Sequence, residues 1–313
     1  LAYRLKPHRP VAREIRRIVS KQLALAIGDL QRIGDPQSDA AIHEARRHVK
    51  KVRAAVRLVQ PVLADTYAPL NTHMRMVSRL LAPVADGEAV VDTIGRLREK
   101  FGAQFPQRAL TSIRAALVER ATRIDRKAEL DRVLQKTIHI LRAELRRVPA
   151  WQLTAGGFHA IGPGLEKSFR RGRRAMNRAK RQPTIKNYHA WRQRVKDLWF
   201  EVRLLEGRCG NRLSADERRL ESLDGCLGEH HNVALLEAVL MREALVSRPQ
   251  TARCLRVLRR YQNQLRYRAH IIGTRIFAER AGDFRHRIRG YWRLTRRGVR
   301  HGQTRRVPCR RAA

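Results

Sequence analysis

The sequence predicts an all-α protein made of two similar halves. Three observations carry this. Apolar residues recur every three or four positions almost throughout, and β-branched alternation is scarce. Prolines at 36, 61, 69, 83, 106, 149, 163, 183 and 249 punctuate the helical patterns and leave short connections, which suits antiparallel bundles. One helical segment also occurs twice. His43–Val59 (HEARRHVKKVRAAVRLV) and His189–Leu205 (HAWRQRVKDLWFEVRLL) are identical at seven of seventeen aligned positions. Chance would give about one, so the repeat implies duplication with pseudo-twofold symmetry.

The elements follow in chain order. A helix over 9–33 stops ahead of Pro36. The next, 38–60, starts at the N-cap candidate Ser38 and ends at Pro61. Helices over 66–81 and 86–100 lie on either side of Pro83, and one over 107–147 runs between Pro106 and Pro149. Trp151–Gly164, with Gly156-Gly157 and Gly162-Pro163-Gly164, is the expected joint between halves 1–150 and 151–290. Beyond it come helices over 163–181 and 184–206, the latter capped by Thr184 after Pro183. Three more cover 214–227, 230–246 and 250–280, with a short one near 284–293. Phe284 to the end carries eleven Arg and no acid, and a disordered tail is expected over 291–313.

The chain has 313 residues, room for about two domains. At 43% hydrophobic residues it is globular in composition. It has no apolar run of transmembrane length, and Leu1–Pro7 lacks the apolar stretch of a secretory signal. Cys209, Cys226, Cys254 and Cys309 show no CxxC spacing, so no zinc ribbon is expected and a reducing, cytoplasmic setting is. Charge dominates: 57 Arg and 11 Lys against 28 acids give a net +40. Genome composition can inflate arginine, but it does not explain the excess over acids. A chain this basic calls for a polyanionic partner: nucleic acid, an anionic membrane surface or a phosphate polymer.

The duplicated helices place that charge. Ile42, Ala45, Val49, Val52, Val56 and Val59 form a core seam in the first copy. Tyr188, Trp191, Val195, Leu198, Val202 and Leu205 do so in the second. One residue on, about 100° round the helix, runs a polar stripe. It is His43, Arg46, Lys50, Arg53 and Arg57, then His189, Arg192, Lys196 and Arg203; Arg47 borders the first. Like charges at i, i+4 repel, so the arrangement suits an anion held between them. Arginine meets phosphate oxygens with a planar fork, lysine adds a point charge, and histidine donates from its ring. A repeating stripe fits a ligand that repeats along its length. Arg13, Arg17 and Lys21, then Arg170, Arg171, Arg174 and Arg178, then Arg259 and Arg266 are further candidates for the walls.

Enzyme signatures are wanting. His43-Glu44 resembles the start of HExxH, but His48 lies five residues on, about 140° round the helix, too far to share a metal. His230 and His231 are adjacent and diverge. No P-loop, GxSxG or dinucleotide loop occurs, and no cofactor or metal is expected. A phosphate-accepting His43 or His189 would need a donor site and metal-holding carboxylates. Nucleic-acid binding is the alternative, and non-specific binding is expected at low salt because counterion release needs only positive charge. No helix-turn-helix is evident and aromatics are 5%.

The two signatures, with FRRGRRAMNRAKRQPT before the second and Leu223–Asn232 (LDGCLGEHHN) after it, resemble the CHAD family, the conserved histidine α-helical domain. The resemblance spans roughly residues 5–290. It implies two four-helix bundles around a basic central surface or cavity, non-enzymatic binding of inorganic polyphosphate, and association with polyphosphate granules. The family's histidines fall on His43 and His189. Its basic positions fall on Arg46, Lys50, Arg53, Arg57, Arg192, Lys196 and Arg203. Departures are Gln193 at a basic position, Trp199 at a basic or aromatic one, and Gly87-Glu88 and His231-Asn232 where acid-bearing pairs are expected.

Overall fold

The structure is a computed structural model that describes residues 3–33, 39–102, 125–242 and 247–302, with 111 and 115 as isolated helical positions. The helices are α1 (Val11–Gln31), α2 (Asp39–Leu58), α3 (Tyr67–Leu80), α4 (Ala82–Phe101), α5 (Asp125–Arg147), α6 (Gly157–Arg181), α7 (Ile185–Cys209), α8 (Ser214–Arg242), α9 (Arg248–Ile276) and α10 (Ala281–Gly302). Among the described residues there is no strand, and no helix is long and apolar enough to cross a membrane.

Helix packing gathers into two sets. In the first, α1 lies along α2 and α5, and α3 packs on α2, α4 and α5. In the second, α6, α7, α8 and α9 pack in sequence and α10 closes against α6 and α7. The sets meet where α2 touches α6 and α7 and where α4 touches α8. All twelve predicted seam residues of α2 and α7 are buried, so the apolar period fixes which faces turn inward.

The N-terminal segment fastens α2 to α7. Leu5 N–H donates to the Leu204 carbonyl at 2.9 Å, and the Tyr3 hydroxyl donates to the Lys51 carbonyl at 3.0 Å. Glu14 in the first turn of α1 is buried. It accepts from the Lys6 N–H at 2.8 Å and from Arg17 at 2.6 Å. Burial pushes its carboxyl upward, but these donors win and hold it below the usual range.

Several boundaries differ from expectation. The helix expected from 163 starts at Gly157 and carries Pro163 inside it. Gly164 lets α6 cross the end of α2, because a Cβ there would overlap the Leu58 carbonyl. Gly164→Ala is therefore expected to cost about 3 kcal/mol by overpacking, read as a lowered unfolding midpoint in urea. The pair 214–227 and 230–246 is one continuous helix, α8, to Arg242. Gly225 and Gly228 weaken a helix locally, but packing against α7 and α9 carries it through. The short last helix extends over Ala281–Gly302, so 291–302 is helical rather than disordered. Of the helix expected over 107–147, the part from Asp125 on is described. Ser38, Cys309 and the side chains of Gly87-Glu88 lie outside the described residues.

Candidate anion-binding site

The basic stripes of α2 and α7 converge. Along α2 the stripe descends from solvent to core: His43 is exposed, Arg46, Lys50 and Arg53 are half-buried, and Arg57 is buried. On α7, His189, Arg192, Lys196 and Arg203 are half-buried. α7 starts where the sequence predicts, with the Thr184 hydroxyl accepting from the Asn187 N–H at 3.2 Å. This cap sets the register of His189 one turn on.

The upper rungs share one electrostatic field, closed off by α8. Lys196 Nζ pairs with Asp224 at 3.0 Å. Lys50 has no hydrogen bond or ion pair among the described residues. Burial pushes its amine down to about 7, and Lys196, Arg46 and Arg192 push the same way, against Asp224. Lys196 is lowered by burial despite Asp224, with Arg192 and Arg47 adding to the effect. His43 is lowered by burial and then by Lys50. Charges on α2 and α7 thus act on one another across the contact between the two helices. A polyanion there would be attracted by every member.

Histidines line one edge. Gln193 Nε2 donates to His189 Nε2 at 2.8 Å, and His189 Nδ1 lies 3.3 Å from His231 Nδ1. As oriented, this chain makes His189 Nδ1–H the donor to His231 and leaves the Nε2–H of His231 as a donor. Burial, then Arg192 and His189, push His231 down to about 3, so it is neutral in the free protein. Next to it His230 is buried, accepts from Arg266 Nε at 3.1 Å, and is pushed down to about 4 by burial and Arg266. Among the described residues no group of three or more His, Cys, Asp or Glu is placed to hold a metal.

The lower rungs hold the helices together. Arg57 forms an ion pair with Asp197, which also pairs with Arg194 at 3.3 Å. Burial would lower the Arg57 guanidinium, but Asp197 and its neighbours raise it. Arg53 beside it is lowered by burial and by Arg57. Glu201, fully buried, accepts from the Ser168 hydroxyl at 2.7 Å, and burial raises it well above a normal carboxyl. Removing Asp197 strands Arg57 as a buried charge between α2 and α7. Asp197→Ala is expected to lose about 3–5 kcal/mol of stability by chemical denaturation.

Arg203 points to another flank. It pairs with Glu217 at 3.1 Å and lies 5.2 Å over the Trp199 ring. Its neighbour Lys51 is pushed down to about 8 by burial, then by Arg47 and Arg203. Arg47 pairs with Glu44 at 3.1 Å.

The wall candidates divide. Arg171 is half-buried and acts on Glu201 and Arg194 at the lower rungs. Arg170 pairs with Glu166 at 2.8 Å, while Arg174 and Arg178 are exposed on α6. Arg17 is spent on Glu14, and Arg13 and Lys21 are exposed on α1. Arg259 pairs with Glu237 at 2.9 Å, on the α8–α9 side. Arg266 reaches the rear of the histidine edge through His230.

Asp224, Gln193 and His231 belong to the site and Asp197 anchors it, although the sequence does not mark them as binding residues. Asp224, Gly228 and His231 fall at i, i+4 and i+7, one face of α8, and that spacing was the available signal. Gly228 presents bare backbone to the Arg192 guanidinium, whose Nη2 lies 3.4 Å from the place of a Cβ.

A search of curated protein sequences finds no match. Among solved structures, the crystal structure of the CHAD domain from the plant Ricinus communis superimposes with a TM-score of 0.62. It covers 89% of this chain and 94% of that one at 17% identity, a likeness of fold. The family description "CHAD domain" matches residues 17–241, which contain both histidine helices and all but the last residue of α8. The chain belongs to the CHAD family.

Proposed function

We propose that this protein binds inorganic polyphosphate without turning it over, in the space between α2 and α7. One observation carries the reading. His43, Arg46 and Lys50 share one field with Arg192 and Lys196, His189 and Arg46 both act on His231 at its edge, and Lys50 is left without a counter-ion partner among the described residues. Polyphosphate carries a charge on every unit, so successive phosphoryl groups can engage both helices at once. Family membership supports the same ligand. In this reading the two packed sets are the duplicated halves, 1–150 and 151–290, and the protein associates with cytoplasmic polyphosphate granules.

Direct binding to long-chain polyphosphate by calorimetry at physiological salt is the test. Submicromolar, salt-sensitive binding is expected, with polyphosphate length unchanged after incubation with Mg²⁺ and no acid-labile phosphate on His43 or His189. Failure to bind under these conditions would refute the proposal. Shortened chains would replace it with an enzymatic one.

A further inference from the structure

α9 carries a second basic surface that the central site does not use. Its 29 residues include eight Arg and no acid. Its inner face, with Leu258, Leu265 and Ala269 buried, packs mainly on α8 and to a lesser degree on α6. The residues of the central cluster stand on α2, α7 and the opposite side of α8. The outward stripe of α9 has its own chemistry. Arg253, Arg256 and Arg260 occupy successive turns, followed by Tyr267 and Ile271 and then Arg275 near the end. Arg256, Arg260 and Arg275 make no hydrogen bond or ion pair among the described residues. Tyr267 is 72% exposed and Ile271 40% exposed. An aromatic ring left this open on a helix of arginines is out of keeping with the other Phe, Tyr and Trp rings among the described residues, which are buried or half-buried.

We propose that the outward face of α9 binds single-stranded nucleic acid, with Tyr267 as a stacking platform and the flanking arginines on the phosphates. Polyphosphate has no planar group, so the open face of a phenol ring has nothing to stack on in it. A nucleobase offers a π-face to any aromatic ring, and arginines spaced along the same groove track the backbone. A duplex hides its base faces in the stack, which favours the single strand. The stripe from Arg253 to Arg275 is about 33 Å long, the reach of about five nucleotides. An anionic membrane is the poorer fit. Membrane-surface helices need a broad apolar face opposite their charges, and here Tyr267 and Ile271 stand within the arginine stripe itself.

The experiment uses the full chain and a labelled 12-nucleotide single strand, read by fluorescence anisotropy at physiological salt. Tyr267→Ala changes no charge and is expected to weaken binding about fivefold or more, while long-chain polyphosphate binding stays unchanged. Tyr267→Trp is expected to keep the affinity, with the new indole quenched by the oligonucleotide. Arg256→Glu with Arg260→Glu is expected to lose about tenfold or more. The matched control is Arg75→Glu with Arg79→Glu, exposed at the same spacing on α3. It changes net charge equally and is expected to lose less than about threefold. The proposal fails if Tyr267→Ala binds the strand like wild type. It also fails if the α3 pair costs as much as the α9 pair. Anionic phospholipid vesicles that depend on Tyr267 where the oligonucleotide does not would give this face to a membrane instead.

Discussion

Arg46→Glu combined with Arg192→Glu is expected to weaken long-chain polyphosphate binding at least about a hundredfold at physiological salt. Each arginine supplies a charge-assisted bond to phosphate, about 1.5–3 kcal/mol in a half-buried setting, and each glutamate adds repulsion. Together they exceed the 2.7 kcal/mol or so that a hundredfold represents. The same variant should not unfold. Both arginines depress Lys50, and Arg46 also acts on His43, so the free protein holds these cations against their mutual repulsion. Reversing two of them relieves it, against the loss of the contacts each arginine makes. The melting temperature should change little while affinity collapses. Calorimetric titration beside a thermal melt reads both. Unchanged affinity would mean that the ligand lies elsewhere, and a collapsed melt would mean that these residues are structural.

Polyphosphate binding is expected to take up protons, and its affinity to fall as pH rises above neutral. Lys50 titrates at about 7 in the free protein because burial and the cations Lys196, Arg46 and Arg192 disfavour its charged form. Asp224 favours it, but acts less strongly than those cations. His43 on the same helix and Lys196 opposite are lowered too. A polyanion reverses the field and moves Lys50 back toward its ordinary value. Below about pH 7 Lys50 is protonated whether or not ligand is bound, and it contributes no slope. Between 7 and the bound value it is neutral in the free protein and charged in the complex. There affinity should fall by up to about tenfold per pH unit for this one proton. Histidines charged only in the complex would add a shallower slope below 7.

Lys50→Met should flatten the dependence above pH 7 and weaken binding at pH 6. It should also stabilise the free protein at pH 6. A base whose folded value lies below its unfolded one destabilises the fold when charged, and that penalty fades as pH rises from 7. The gain is about 1–3 kcal/mol after allowing for solvent screening. Titrations in buffers of different ionisation enthalpy measure the uptake directly. A pH-independent affinity from 6.5 to 9 would refute the linkage.

Much of this was legible from period and repetition. The buried seams of α2 and α7 follow from valines and large apolar residues three and four apart. The Thr184 cap follows from local chemistry, and the duplicated His-Arg-Lys register marked the residues that converge. What the sequence concealed depends on how helices cross. The α2 stripe has even spacing from His43 to Arg57, yet its lower end is buried against Asp197 while its upper end is open. Periodicity describes one helix and is silent on the partner that covers part of it. Asp224, Glu217 and Asp197 read as scattered acids until α7 and α8 bring them to Lys196, Arg203 and Arg57. Gly228 reads as a break where packing keeps α8 whole, and Pro163 reads as a start because α6 tolerates it inside. Arg17 and Arg259 lie on basic faces but have acids of their own, Glu14 and Glu237, within reach.

On this reading one polyanion is gripped from both helices at once. The most direct measurement is a crystal structure with tripolyphosphate bound. A continuous run of phosphoryl groups is expected between α2 and α7, with Arg46 or Lys50 and Arg192 or Lys196 each within hydrogen-bond distance of the same ligand molecule. Phosphate found only on outward arginines such as those of α6 or α9, with the space between α2 and α7 empty, would contradict it.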